Sequence, residues 1–289
     1  MKPYTLIFLS TFLFSLLGFN AFASPQMPDY IIYKSDTIGT YNLIVERYLQ
    51  NQHPADSAKL FGLSFRDGAS FNCWRGYQAI YKIENDSLFL VDMIQCGTLR
   101  QVKRDTAWSN GLMKKIFGNE VVNGKVFINW FTGDINFPLN SKLVRWDGVF
   151  YRIFEKERII TISGGKLSNT EDVLNYVNAP HGIKREYGVK LSDILFKKVK
   201  KIKWRKLPDC DCSDEYVITI GPAGNVSKVA LAGENRDEVS ENEGCRKLIF
   251  DALRKLQFDI IKDKGKPIAE DVYLEIWVED NGKTENWTN

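Results

Sequence analysis

Histidine is nearly absent from this sequence, and that scarcity limits the catalytic sites it can form. The 289 residues contain two histidines, His53 and His181. A nucleophilic site that uses a histidine base needs a serine or cysteine beside it in space, and no local pattern places one there. Acidic residues are numerous, but acid–base pairing of carboxylates depends on their separation in the folded chain. We therefore predict no catalytic residue and favour a protein that is not an enzyme.

Strong charge of one sign and internal apolar runs are also missing. The formal net charge is +3 at pH 7, which is too small to favour nucleic acid as the partner. After residue 23, no apolar run approaches the ~20 residues needed to cross a bilayer. We therefore predict no transmembrane span in the mature chain.

Metal-binding motifs are incomplete. The run Asp209–Asp214 (DCDCSD) alternates oxygen ligands as a calcium loop does. However, Asp214 stands where the turn glycine belongs, and Ile220 where the bidentate glutamate belongs. A soft-metal clamp formed by the two cysteines of this run would have only Cys245 as a further ligand. We predict no metal site and no cofactor.

The amino terminus has the three parts of a secretory signal. Lys2 supplies a positive charge, an apolar run extends from about Leu6 to Phe19, and small residues end at Ala23. This order predicts a signal peptide over residues 1–23 that is removed during export. An uncleaved membrane anchor is the alternative, although polar residues interrupt the short apolar run. The predicted location is periplasmic or secreted.

The segment between Cys73 and Cys96 has the pattern of a β-hairpin. Two β-branched and aromatic runs, Tyr77–Ile83 and Leu88–Ile94, flank a tight turn. The two cysteines then lie on the same sheet face, one diagonal step apart. A small twist, or a bulge near Gly76, would bring them within disulfide range, and an oxidising compartment favours the bond. Two separate buried thiols are the alternative.

The other three cysteines are Cys210, Cys212 and Cys245. We predict that Cys210 or Cys212 bridges to Cys245, which would join the start of a strand to the start of a helix. Because the total of five is odd, at least one thiol stays free or pairs with another chain.

Residues 28–177 have the pattern of a β-rich domain built from antiparallel hairpins. Lys142–Trp146 and Val149–Phe154 flank an Asp-Gly dipeptide, which is a strong hairpin signal. Short helices are predicted over Trp108–Phe117 and over Asn169–Tyr176.

Residues 178–206 are predicted to be a linker that contains an amphipathic helix. Apolar residues recur every three or four positions from Leu191 to Ile202. The basic run Lys197–Lys206 supplies the polar side of this pattern. Solvated lysines are one interpretation of the run, and peripheral contact with an anionic membrane surface is the other.

Residues 207–280 show the element order β-β-α-β. Tyr216–Ile220 and Val226–Leu231 flank a glycine-containing turn, a helical face extends from Cys245 to Leu256, and a closing strand covers Val272–Val278. The predicted fold is a small antiparallel sheet with one helix across it. The whole chain is therefore predicted to be α+β.

This last part resembles the carboxy-terminal domain of TonB-type proteins of the bacterial envelope. Gly224, Val226 and Val229 match the family pattern of glycine, x, valine, x, x, valine, and Gly265 and Pro267 match its glycine, x, proline. The resemblance implies a small sheet whose exposed edge accepts a partner's strand. The proline-rich spacer of that family is absent from this sequence.

The first domain is similar to exported bacterial β-rich domains that have no assigned activity, through Cys73–Tyr77 and Trp130–Gly133. The former segment holds three candidate ligand-binding residues: Trp74, Arg75 and Tyr77. Their two aromatic faces and one cation suit a planar or sugar-like ligand. A loop residue, His181, is the fourth candidate. Alternatively, the two aromatic residues belong to the core and the arginine to a strand edge.

Two functions of different classes follow from these patterns. The preferred one is an exported, non-enzymatic cell-envelope protein whose carboxy-terminal module binds a protein partner, with strand addition as the mode of binding. The alternative is a secreted hydrolase, or a protein that binds a small ligand or carbohydrate through the β-rich domain.

Overall fold

A computed structural model describes residues 26–52, 70–99, 105–204, 211–233 and 243–288. The predicted signal peptide (residues 1–23), His53, Cys210 and the end of the basic run (Arg205-Lys206) lie outside these ranges. Within them the chain is a mixed α+β structure made mostly of sheets, which confirms the predicted class. None of the helices in these ranges combines the length and apolar character needed to span a membrane.

Four α-helices occur in the described ranges. They are α1 (Ile44–Gln52), α2 (Thr106–Phe117), α3 (Leu191–Val199) and α4 (Glu243–Leu253). The second confirms the helix predicted over Trp108–Phe117. It begins after Asp105, whose side chain accepts a hydrogen bond from the N–H of Trp108 and so satisfies one free donor of the first turn.

The strands are numbered in chain order. Before α3 the chain forms β1 (Asp29–Tyr33), β2 (Asp36–Thr40), β3 (Tyr77–Glu84), β4 (Ser87–Gln95), β5 (Val126–Phe127), β6 (Gly133–Pro138), β7 (Leu143–Trp146), β8 (Arg152–Phe154), β9 (Lys156–Ser163), β10 (Lys166–Leu174) and β11 (Tyr176–Val177). After α3 it forms β12 (Asp214–Ile220), β13 (Val226–Leu231), β14 (Ile260–Asp263), β15 (Lys266–Pro267), β16 (Glu270–Val278) and β17 (Thr284–Asn286).

The first sheet curls until its two outer strands meet. Its order is β2-β1-β3-β4-β10-β9-β6, with β5 paired to β4. β2 lies against β6, and the side-chain amide of Asn42 donates to the carbonyl of Asp134 at 2.9 Å. Six of its seven strand pairings are antiparallel, whereas β1 and β3 are parallel. The expectation of antiparallel hairpins alone misses that parallel pair.

The segment Asn169–Tyr176 is not helical, and the prediction of a helix there is wrong. It forms most of β10, which pairs with β9 from Lys166 to Leu174. Gly164 and Gly165 adopt positive φ and turn the chain back on itself. Across the two strands, Arg158 donates two hydrogen bonds to Asp172, at 2.6 and 2.8 Å. Long-range pairing therefore decides the structure of this segment.

The hairpin of β3 and β4 has the predicted register near its turn. Glu84 faces Ser87, but a bulge between Ile80 and Tyr81 changes the register toward the open end. Of the two expected ways to bring the cysteines together, a small twist or a bulge near Gly76, the structure has a bulge, but four residues farther along the strand. Farther along, Cys73 and Cys96 form a disulfide with 6.1 Å between their Cα atoms. The predicted bond is confirmed.

A core lies inside the curled sheet, and α1 and α2 are packed against it. Ile44 and Val45 from α1 and Met113 and Phe117 from α2 are buried there. The strands supply alternate apolar side chains, as a half-buried sheet requires. The buried strand residues are Ile31, Tyr77, Ala79, Tyr81, Leu88, Leu90, Met93, Val126, Ile135, Phe137, Ile160 and Ile162.

A second sheet has the order β13-β12-β16-β17, and α3 and α4 cover one of its faces. The amphipathic pattern predicted for α3 is present, since Leu191, Leu195 and Val199 are buried. The lysines at 197, 198, 200, 201 and 203 are exposed. A disulfide between Cys212 and Cys245, with 5.6 Å between their Cα atoms, joins the approach to β12 to α4.

A small third sheet joins the two cores. β11 pairs with β14, and β14 with β15. Tyr176 and Ile261 from β11 and β14 are buried against Val144 and Ile153 from the β7–β8 hairpin, which is a two-stranded sheet of its own. The hairpin is therefore packed against residues from the far end of the chain.

Gly224 provides a test of the turn between β12 and β13. Its φ is +80°, and a Cβ at this position would lie 2.2 Å from the carbonyl oxygen of Phe258. We expect Gly224→Ala to lower the free energy of unfolding by about 2 kcal/mol, through the left-handed conformation and the backbone clash. Urea denaturation measures the change.

The matched control is Gly111→Ala in α2. A Cβ there would meet nothing within 4 Å, and alanine favours a helix over glycine by up to about 1 kcal/mol. If both substitutions change the free energy of unfolding equally, the positive φ of Gly224 and its close approach to Phe258 are not what requires glycine in this turn.

Candidate binding surfaces

Two of the predicted ligand-binding residues lie inside the first core. Arg75 is 3% exposed and its Nη2 donates to Asp29 Oδ1 and to the carbonyl of Met27, each at 3.0 Å. Tyr77 is also buried, and its hydroxyl donates to Glu46 Oε1. These groups hold β1, β3 and α1 together.

The electrostatics of this buried cluster keep its groups in fixed protonation states. Burial alone would lower the pKa of Arg75, but the carboxylate of Asp29 raises it, so the guanidinium stays charged. Burial and the nearby Glu46 carboxylate raise the pKa of Tyr77 well above its usual value. Tyr77 therefore keeps its proton and remains a donor.

Trp74 and His181 do not join these two residues in one site. Trp74 is half-buried before β3. His181 is exposed in the turn after β11, where it adopts a positive φ of 56°. Neither residue lines the groove that the first sheet forms with the β7–β8 hairpin.

That groove has a volume of about 450 Å³, which lies in the range of small-molecule sites. It opens where β2 meets β6, between the β7–β8 loop and the turn that follows β14. We call it the groove. Its lining includes Tyr41, Arg47, Asp134, Asn136, Phe150, Tyr151, Arg152, Glu157 and Lys264.

Local turn chemistry positions the aromatic side of the groove. Gly148 adopts a positive φ of 88°, and Asp147 Oδ1 accepts hydrogen bonds from the N–H groups of Val149 and Phe150, each at 2.8 Å. The ring of Phe150 meets that of Tyr41 edge-on, with 6.1 Å between the centroids. The short loop therefore presents an aromatic wall.

The carboxylates of the groove are occupied by protein donors. Asp134 accepts from Lys264 Nζ at 2.9 Å and from the Thr161 hydroxyl at 3.0 Å. Burial acts to raise the pKa of Asp134, but these two hydrogen bonds outweigh it and hold the pKa below its usual value. Asp134 is therefore ionised and paired.

Glu157, at the base of the groove, is fully buried. Its carboxyl accepts hydrogen bonds from the N–H of Phe154 at 3.1 Å and from the side-chain amide of Asn175 at 2.7 Å. Burial raises the pKa of Glu157, against the lowering effect of those donors. Because Glu157 has no exposed surface, it supports the floor and its partners rather than meeting a ligand.

The cations of the groove are arranged differently. The guanidinium of Arg152 lies over the rings of Tyr41, at 5.3 Å, and Trp146, at 5.0 Å. Arg47 is exposed on α1, with its guanidinium 5.6 Å from the ring of Phe131. Among the described residues, neither guanidinium has a hydrogen-bond or ion-pair partner. Aromatic stacking holds them in place without using their donors.

A second candidate surface is the open face of the second sheet. Tyr273, Trp277 and Trp287 are 54%, 44% and 51% exposed, and we call them the aromatic face. The two tryptophans stack, with 5.3 Å between ring centroids and 13° between planes. Tyr273 and Trp277 lie on one side of β16, while Leu274 and Ile276 point into the core.

Carboxylates accompany these aromatic side chains. Glu215 on β12 is directly opposite Glu275 on β16, and Glu285 on β17 is opposite Trp277. Because side chains alternate along a strand, these glutamates share the face of the aromatic residues. Glu285 is ion-paired with Lys283 at 2.8 Å, so the negative charge beside the aromatic residues comes from Glu215 and Glu275.

Neither a metal site nor a known relative identifies the function of these surfaces. No group of three or more histidine, cysteine, aspartate or glutamate side chains suited to a metal ion occurs within the ranges the structure describes. Comparisons with protein-family models, curated proteins and solved structures give no match for this chain.

Sequence patterns did not distinguish the lining of the groove from a buried cluster of similar composition. The segment Phe150-Tyr151-Arg152, beside an Asp-Gly turn, has the same aromatic and cationic composition as the segment that contains Trp74 and Arg75. Only the structure shows that the former lines an open groove and the latter packs around Asp29.

Proposed function

We propose that the protein is an exported, non-enzymatic component of the bacterial envelope whose carboxy-terminal module binds a protein partner. The aromatic face carries this proposal. Exposed clusters of large apolar side chains on a soluble fold are characteristic of interaction sites, and tryptophan and tyrosine dominate the binding energy of interfaces.

The location rests on separate observations. Two disulfides are compatible with a periplasmic or secreted protein, because such bonds persist in oxidising compartments. The order of charge, apolar residues and small residues at the amino terminus supports export.

The charge of the face favours a basic partner. Glu215 and Glu275 face each other on the side of the sheet that holds the aromatic residues, so a partner with lysine or arginine side chains would gain cation–π contacts and complementary charge. For strand addition we propose the β13 edge, since β13 is one of the two strands that end the sheet order and has no described strand on its outer side.

Site-specific photo-crosslinking tests this proposal. With a benzoylphenylalanine in place of Tyr273, the chain should form a crosslink to an envelope protein in living cells. The control places the same group at Tyr187, which is 50% exposed but belongs to neither sheet. Adding Trp277→Ala should reduce the crosslink at least about tenfold, as expected for a hot-spot residue.

Equal crosslinking from positions 273 and 187 would refute the proposal, and so would a crosslink insensitive to Trp277→Ala. The mode of binding is tested separately with the group at Lys228 on β13 and at Glu285 on β17. Strand addition at β13 predicts the stronger product from Lys228.

A further inference from the structure

We propose that the groove binds an acidic sugar, whose carboxylate or phosphate is recognised by Arg47 and Arg152. This site is separate from the aromatic face and does not depend on the protein-binding function proposed above. The inference rests on which hydrogen-bonding groups of the groove remain unused.

The carboxylates of the groove already accept hydrogen bonds from protein donors. Asp134 is bonded to Lys264 and Thr161, and Glu157 to Phe154 and Asn175. Lys264 is likewise committed to Asp134 at 2.9 Å. A cationic ligand would therefore find no free carboxylate in the groove and would have to break one of these bonds.

The open donors all suit an anion. Within the described ranges, the guanidinium groups of Arg47 and Arg152 and the hydroxyl of Tyr41 make no hydrogen bond. A guanidinium presents a planar fork of donors that matches carboxylate and phosphate. Arg152 is already held between two rings, so little freedom is lost when it binds.

The remaining features of the groove suit a sugar ring. Tyr41, Phe150 and Tyr151 provide aromatic surface for the C–H face of a saccharide. Asn136 donates its amide to Glu157 at 3.4 Å, which orients its side-chain oxygen as an acceptor for a hydroxyl. Burial and a hydrogen bond to Asp263 raise the pKa of Tyr151, so this ring stays neutral beside the anion.

A free carboxylate or phosphate without a ring would use the arginines alone and leave the aromatic wall and Asn136 unused. The volume of about 450 Å³ also exceeds what a small inorganic anion fills. Both observations favour an anion attached to a sugar.

Calorimetric titration of the full chain, with its disulfides intact, tests the proposal. The probes are glucuronate, glucose 6-phosphate, glucose and inorganic phosphate. At least one acidic sugar should bind about tenfold or more tightly than glucose and than inorganic phosphate. Which acidic sugar binds better distinguishes carboxylate from phosphate recognition.

Arg47→Gln and Arg152→Gln should each weaken that binding about tenfold or more, since each removes a charge-assisted contact. Arg254→Gln removes the same charge from an exposed site 56% open to solvent, outside the groove, and should leave the affinity unchanged. If Arg152→Gln fails to fold, the exposed Arg47 gives the same test.

The proposal is overturned if glucose or inorganic phosphate binds as tightly as both acidic sugars. It is also overturned if Arg254→Gln weakens binding as much as Arg47→Gln, because the attraction is then non-specific. The proposal is overturned as well if none of the four probes binds at millimolar concentration.

Discussion

Replacing Glu270 by alanine should lower the free energy of unfolding by about 3 kcal/mol, as expected when one partner of a buried ion pair is removed. Glu270 Oε2 accepts hydrogen bonds from Arg185 Nε and Nη2, at 3.1 and 2.9 Å, and from Arg145 Nη2 at 2.5 Å. The side chain of Arg185 is fully buried. Among the described residues, no other carboxylate forms an ion pair with Arg185, so without Glu270 its positive charge lacks a neutralising partner there.

The pKa of Arg185 shows how strongly its charged state depends on Glu270. Burial lowers the pKa of Arg185 below its usual value, although the carboxylate of Glu270 opposes that effect. One hydrogen bond to the carbonyl of Asp259, at 3.2 Å, would remain after the substitution. A neutral carbonyl does not compensate for a buried charge. Glu270 is 21% exposed, so water limits the loss to the lower end of the usual range.

Two further variants separate the buried charge from the loss of a glutamate. Glu275→Ala changes the same residue type on the same strand, where the carboxylate has no described ion pair, and should cost less than about 0.5 kcal/mol. Combining Glu270→Ala with Arg185→Met removes the unpaired charge and should recover much of the loss. Urea denaturation at pH 7 measures all three. If Glu270→Ala lowers the free energy of unfolding no more than Glu275→Ala does, the ion pairs of Glu270 with Arg145 and Arg185 do not stabilise the contact between the two cores.

The network also explains why the join escaped sequence reasoning. Arg145 comes from β7, Arg185 from the segment before α3, and Glu270 from β16, so no local spacing relates them. The same holds for Arg75, whose burial depends on Asp29, 46 residues earlier. Charged residues are usually exposed, and a strand-edge position for Arg75 was a reasonable alternative from local sequence.

Local patterns predicted what local physics determines. The β7–β8 hairpin, the helix of Trp108–Phe117 and the amphipathic α3 each depend on neighbouring residues, and the structure contains all three. The hairpin loop spans residues 147–151, however, because Trp146 pairs with Arg152, so the predicted two-residue turn with a strand from Val149 is wrong. The parallel pairing of β1 with β3 and the strand over Asn169–Leu174 depend on distant partners. Strand formation depends strongly on such context, which is why these two features were missed.

The groove shows the same limit for a binding site. Its lining extends from Pro28 to Lys264, and it exists because the first sheet curls until β2 reaches β6. A sequence reports the residue types but not this closure. Aromatic and arginine residues occur together at both Trp74-Arg75 and Phe150-Arg152, and burial alone separates them.

Removing the disulfide between Cys73 and Cys96 should lower the free energy of unfolding by about 3 kcal/mol. The bond closes a loop with a sequence separation of 23 residues, and a loop of this length restricts the unfolded chain by about that amount. The bond between Cys212 and Cys245, with a separation of 33 residues, should contribute about 4 kcal/mol. Double substitution of each pair by alanine, followed by denaturation under oxidising conditions, measures both.

Reduction of the unsubstituted protein is the reference for these variants. With dithiothreitol present, it should unfold at nearly the same urea concentration as a variant that lacks the corresponding bonds. Cys210→Ala is the matched control, because Cys210 belongs to neither disulfide. Its effect on the midpoint should be small whether or not reductant is present.

Both disulfides together represent about 7 kcal/mol, which is comparable with the total stability of many domains, about 5–15 kcal/mol. The two bonds close separate loops of the chain, 73–96 and 212–245, so their contributions should add. A chain that lacks residues 1–23 and stays in a reducing cytosol should therefore be largely unfolded or degraded, whereas the exported chain accumulates. Pulse-chase labelling of the two forms compares their lifetimes. Equal lifetimes, with both disulfides absent from the cytosolic form, would show that the fold does not depend on an oxidising compartment.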